Sequence, residues 1–100
     1  WVRRYSTPEP RELLLQNLKR LHDGGVRIAV GSDGGNIGTL HGASYHRELR
    51  LVAEAGLPPM DVLVAATRNA ALAVTGTHDR GTIQAGRIAD LLILDADPLT

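Results

Sequence analysis

A carboxylate on a glycine-rich turn, directly after an apolar run, is the arrangement in this chain best suited to chemistry. Val26-Arg27-Ile28-Ala29-Val30 reads as a short buried strand, and Gly31-Ser32-Asp33-Gly34-Gly35 follows it. In open α/β sheets and α/β barrels, active sites lie at the carboxyl ends of parallel strands. Asp33 stands at such an end, placed to accept a proton or ligate a cation. Asp and Gly are also the commonest turn residues, so an ordinary turn is the plain alternative. His41 closes the same loop, where its ring can meet a substrate carboxylate or carbonyl or be satisfied by water and backbone. The other histidines read as structural. His22 complements a helix C-terminus, His46 lies on a solvated or half-buried helix face, and His78 is a loop residue. Tyr45, four residues after His41, reads as core packing.

The elements that must position these residues follow from period and punctuation. Thr7-Pro8-Glu9 predicts a helix start, with Thr7 as N-cap, Pro8 at the first helical position, and Glu9 and Glu12 near the positive end of the dipole. Leu14, Leu18 and Leu21, with Leu13 beside them, predict a buried stripe. Lys19, Arg20 and His22 fill the last turn, and Gly24-Gly25 ends it. The strand over about 26–31 is nearly all apolar, the pattern of a parallel strand covered on both faces. A loop from Ser32 to about Gly42 leads to a second helix over Ala43 to Ala55, stopped at Gly56. Pro58-Pro59 opens a third, with Asp61 in its first turn. Asn69, with Thr67, is expected to cap a fourth over Ala70 to Val74, closed by Gly76. Beyond a polar loop over 77–81, the run Gly81-Thr82-Ile83, the turn Gln84-Ala85-Gly86 and the run Ala89 to Asp95 predict strand, turn, strand. Asp90 and Asp95, flanking the second run, read as structural.

Composition narrows the class. One hundred residues suit one small domain, and 43% hydrophobic with 22% charged residues is ordinary globular usage. Zero net charge, without a dense Lys/Arg stripe, argues against a nucleic-acid partner. No apolar run approaches the roughly 18 residues of a membrane span. With no cysteine, a metal site must use His and carboxylates, and the cytoplasm is the compartment that fits. The chain opens on Trp1 and ends on what reads as the start of a loop, so a fragment is expected.

Gly31 to Gly35, then Arg47-Glu48-Leu49 to Glu54-Ala55-Gly56-Leu57, then Ala65-Ala66-Thr67 with Asn69-Ala70-Ala71, resemble the C-terminal third of the amidohydrolase superfamily. Gly81-Thr82-Ile83, Gly86 and Ala89 to Asp95 resemble its characteristic ending. The resemblance covers about residues 24–98. His41-Gly42 with His46 to Leu49 is most similar to the imidazolonepropionase and Xaa-Pro dipeptidase-like branch.

The resemblance implies an α/β fold, the C-terminal part of a (β/α)8 TIM-like barrel followed by strands of a small β-sandwich domain. Residues 1–76 would be the barrel segment, with 26–31 as the eighth strand, and residues 77–100 part of the sandwich. Asp33 would ligate one or two divalent metals, most simply zinc, and take a proton from the attacking water. Gly34 and Gly35 would let the backbone approach the substrate, and His41 would bind it. The expected activity is hydrolysis of an amide, cyclic amide or dipeptide C–N bond in a small molecule or dipeptide. The partners implied are the upstream barrel segment and further copies of the chain in a homo-oligomer, with no nucleic acid and no membrane. Pro58 replaces the usual Ser or Thr cap, and the family's His-x-His pair, bridging Lys or Glu and later histidines have no counterpart here. One aspartate cannot hold a catalytic metal, which needs about three protein ligands. The chain alone should be silent. A non-catalytic relative kept for binding or assembly is the second reading. A phosphate-cradling loop at Gly34, Gly35 and Gly38 is a distant third, since it would need a helix starting tightly after the glycines.

Overall fold

The computed structural model describes residues 8–100 of the chain. Helix α1 (Pro8–Asp23) ends in a Schellman turn. Val26 N–H donates to Leu21 C=O (3.0 Å), Gly25 N–H donates to His22 C=O (2.9 Å), and Gly25 takes φ 79°. Extended backbone over residues 26–32 then leads to the Asp33 loop. Helix α2 (Ala43–Glu54) follows, and Gly56 at φ 94° turns the chain out of it. Helix α3 (Pro59–Val64) has Pro58 at its N-cap, Pro59 in its first turn and Asp61 near its N-terminus, as the sequence predicts. The N-cap expected at Thr7 lies outside the described residues.

Asn69 and Thr67 do not cap anything. Residues Ala65–Asn69 form a π-helical turn joining α3 directly to α4 (Ala70–Thr75), and Gly76 closes α4 in the left-handed region. Thr67 Oγ1 donates to the Leu63 carbonyl (2.7 Å) inside the helix, and Asn69 Nδ2 donates to the Ile28 carbonyl (2.8 Å). A π turn shifts the helical hydrogen-bond ladder by one residue. The carbonyls on it here accept from outside the helix: Ala65 C=O from Val30 N–H (3.1 Å) and Ala66 C=O from the Tyr45 hydroxyl (3.1 Å). This one turn therefore ties down both the extended segment and α2.

The core lies where these elements meet. Val30, Val52, Leu57, Val62 and Ala65 are buried, with Leu18, Ile28, Tyr45 and Leu49 packed against them. Tyr45 is thus a core residue with a satisfied hydroxyl. The leucine stripe of α1 is covered only at Leu18. Leu13, Leu14 (61% exposed) and Leu21 stay exposed among the described residues, Leu14 at the lip of a groove shared with Arg47 and Leu51 of α2.

The expected strands do not form among the described residues. Strand structure needs a neighbour offering N–H and C=O groups at ladder spacing, and residues 26–31 meet helices instead. Residues 81–83 and 89–95 likewise form no ladder. Only the turn between them appears, with Arg87 N–H on Gln84 C=O (3.2 Å) and Gly86 at φ 82°. Barrel and sandwich are therefore absent from the described residues, which are helical with extended and irregular connections. The accessible surface is 7988 Å², against about 5,500 Å² for a folded monomer of this mass.

Candidate active site around Asp33

The extended segment delivers Asp33 to the surface at its end, as the sequence predicts. Asp33 is exposed and takes φ 48°, the one non-glycine at positive φ among the described residues. Thr39 Oγ1 donates to the Asp33 carbonyl (2.8 Å), Gly35 N–H donates to Thr39 C=O (3.0 Å), and Asn36 Nδ2 donates to Asp33 Oδ2 (3.3 Å). Asn36 and Thr39 were not singled out by the motif reading. The available signal was their type, since Asn and Thr side chains commonly bond nearby backbone in turns.

His41 comes to the same place. Its ring lies over the glycine pair: a Cβ on Gly34 would fall 2.9 Å from His41 Nδ1, and one on Gly35 would fall 3.1 Å from Nε2. Glycine is needed at these positions so that the ring can settle on the backbone. Gly42, at φ 78°, then starts α2 without a side-chain cap, while Ser44 Oγ accepts from Leu40 N–H (2.8 Å). Asp33, Gly34, Gly35 and His41 thus share one compact loop.

The remaining histidines lie elsewhere. His46 and His78 are exposed. His22, expected only to face the helix dipole, also bridges two carboxylates, with Nε2 3.1 Å from Asp61 Oδ2 on α3 and Nδ1 3.3 Å from Asp23 Oδ1. A groove of about 290 Å³ runs past His22, Asp61, Arg68 and Asn69. The principal grooves all lie away from Asp33. Asp33 differs from His22 and Asp61, which hold each other in the groove, in that its Oδ1 has no protein partner among the described residues.

Among the described residues, no three His, Asp or Glu side chains converge to hold a metal. Asp33 is a single carboxylate, with Asn36 Nδ2 on one oxygen and no protein partner on the other among the described residues, and alone it cannot hold a metal. It would be one ligand of a set.

The amidohydrolase family model matches residues 14–100. The chain belongs to the amidohydrolase family. Among similar curated proteins, the imidazolonepropionase of Brevibacillus brevis is 35% identical over 80 residues, covering 79% of this chain and 19% of that protein. The imidazolonepropionase of Pyrobaculum arsenaticum is 58% identical over 40 residues, 40% of this chain and 10% of its own. The adenine deaminase of Serratia proteamaculans is 48% identical over 48 residues, 48% of this chain and 8% of its own. The imidazolonepropionase-like branch expected from His41-Gly42 and the residues after it is thus among this chain's relatives. The chain spans less than a fifth of the length of each. No solved structure matches. No helix among the described residues is long and apolar enough to cross a membrane.

Proposed function

We propose that these residues form the C-terminal part of a metal-dependent hydrolase that cleaves a C–N bond in an amide, cyclic amide or dipeptide. The observation that carries this reading is Asp33 in a chain of the amidohydrolase family: a surface carboxylate at the end of an extended segment, with one oxygen tethered by Asn36 and one open. Likeness to proteins named imidazolonepropionase and adenine deaminase supports the bond type.

On this reading residues 1–76 belong to a (β/α)8 barrel, with 26–31 as its eighth strand, and residues 77–100 belong to a small β-sandwich. Upstream barrel strands supply the ladder partners that the extended segment lacks. The exposed leucines of α1 and the large accessible surface support such a covering. Asp33 would be a ligand to one or two divalent ions, with zinc the first choice. When bound, the metal would lower the pKa of a water toward about 7, making a nucleophile available at neutral pH. Asp33 Oδ1 accepts the proton of the attacking water and passes it to the leaving nitrogen, the work of a general base and then a general acid. The His41 ring, seated on Gly34 and Gly35, offers its outer face to a polar group of the substrate. The cysteine-free composition supports a cytoplasmic setting, and a homo-oligomer is the assembly proposed.

The test is Asp33→Asn in the intact barrel protein, with metal content measured beside turnover. Loss of activity in a folded, metal-binding wild type supports the hydrolase. An intact frame whose upstream sequence lacks His-x-His and the later histidines makes the protein a binding or assembly module instead.

A further inference from the structure

Among the described residues, His22 alone sets both ring nitrogens against carboxylates. Nε2 lies 3.1 Å from Asp61 Oδ2 and Nδ1 lies 3.3 Å from Asp23 Oδ1, and the side chain is only 25% exposed. The bond to Asp61 is the only hydrogen bond between α1 and α3 among these residues. It sits beside the turn that releases the extended segment, since the His22 carbonyl accepts from Gly25 N–H.

Donor count decides what the ring must carry. An ionised carboxylate only accepts, and a neutral imidazole donates from one nitrogen and accepts at the other. A neutral His22 therefore bonds one carboxylate and turns a lone pair toward the second. Only the imidazolium donates to both, and bonds from a charged donor are roughly twice as strong as neutral ones.

The groups around the ring favour that charge on balance. On α1, Asp23 touches the ring and also pairs with Lys19 Nζ at 2.5 Å, while the helix C-terminus favours a cation. Lys19, then His22, hold the Asp23 carboxyl below its ordinary 3.8, so it stays ionised where a histidine titrates. From α3 the ring meets Asp61. Arg27 of the extended segment and Arg68 of the π turn line the same groove and oppose the charge. Neither is hydrogen-bonded to the ring among the described residues, and Coulomb attraction falls with distance, so the two touching carboxylates prevail.

We propose that His22 is a pH-sensitive latch between α1 and α3, closed with both ring nitrogens protonated and loosened when one proton leaves. A ring bound more tightly when charged stabilises the contact below the ordinary histidine range, about 6.5, and releases it as pH rises beyond. The part that loosens is the first turn of α3, where Asp61 sits.

The experiment follows amide exchange in the intact protein from about pH 5 to about pH 8, corrected for the intrinsic pH dependence of exchange. Val62 N–H, which donates to Pro58 C=O in that first turn (3.1 Å), reports the latch. Ala55 N–H, on Leu51 C=O at the end of α2 (3.0 Å), is the control. Protection at Val62 is expected to fall about three- to tenfold across that range, with Ala55 steady. His22→Gln, which donates but cannot take a charge, and Asp61→Asn are each expected to abolish the pH dependence. The Asp61 side chain is 46% exposed, so its variant reports even if His22→Gln fails to fold. Flat protection in the wild type, or a fall that survives either substitution, overturns the latch. An equal fall at Ala55 marks a change in global stability and overturns it as well. None of these outcomes involves Asp33, so they are separate from the hydrolase reading.

Discussion

Residues 26–33 and 91–95 are nearly the same kind of sequence in two settings. Each is an apolar run that ends in or just before an aspartate, Asp33 in one case and Asp95 in the other. The first run buries Val30, half-buries Ile28 and gives backbone groups of both to the π turn. The second is exposed throughout, with Ile93 at 100%. An apolar run carries a tendency to be covered, and the surface available to it decides whether it is. The first run has a helical layer to lie against. The second has none among the described residues.

The largest expected effect separates the two aspartates. On the proposed hydrolase reading, Asp33→Asn in the intact protein should lower kcat by about 10²- to 10⁴-fold, the range for losing a general base. Asp95→Asn should leave kcat at the wild-type value. Equal losses in steady-state assays would erase the distinction between the two runs.

Packing should separate them next. Leu57→Ala in the buried cluster should cost about 2–5 kcal/mol by chemical denaturation. Ile93→Ala should change the hundred-residue chain by no more than about 0.5 kcal/mol. In the intact protein a formed sandwich, as proposed, would raise the Ile93→Ala cost into the core range. An unchanged value there would break the sandwich reading.

The tail comes close to the helical layer at Gly81. A Cβ on Gly81 would fall 2.7 Å from Arg68 Cα, and Gly81 has φ 80°. Overpacking of that kind costs about 1–3 kcal/mol. Gly81→Ala should therefore speed amide exchange at Ile88, whose N–H donates to Asp79 C=O at 2.7 Å, and leave Val30 protected.

The smallest effect is electrostatic and lies just before each region, at the end of α1 and in the loop after α4. The Lys19 ammonium, then His22, hold the Asp23 carboxyl below its ordinary 3.8. Arg80, then Thr77, do the same for Asp79. A carboxyl lowered by folding adds stability above its unfolded value and loses it as pH falls through the lowered one. Any loss thus lies below about pH 4. By NMR titration, Lys19→Met should return Asp23 toward 3.8 without moving Asp79. Movement of both would join what the geometry keeps separate.

Much of the local structure was legible because its signals are local. Gly25, Gly56 and Gly76 end helices where the periodicity stops, and Pro58-Pro59 starts one. Asp33 at the mouth of a loop closed by His41 was legible for the same reason. Asn69 misled, because a residue good at capping helices is equally good at donating to a stray carbonyl. The π turn that redirected it to Ile28 is fixed by packing between distant segments. Leu14 and Leu21 misled for a related reason: their spacing records a face made to be covered, and covering requires a second element.

By itself the sequence determined the family, the order of the helices with the glycine and proline signals that end α1, α2 and α4 and open α3, and the position of Asp33 after an apolar run. These rest on short-range chemistry: caps, glycine turns and periodicity. Only the tertiary structure showed the positive φ falling on Asp33 instead of Gly34, the His41 ring resting on the glycine pair, and Asn36 with Thr39 bracing the loop. Those outcomes depend on which groups meet in space, and hydrogen-bond geometry and close contact decide that, not residue type.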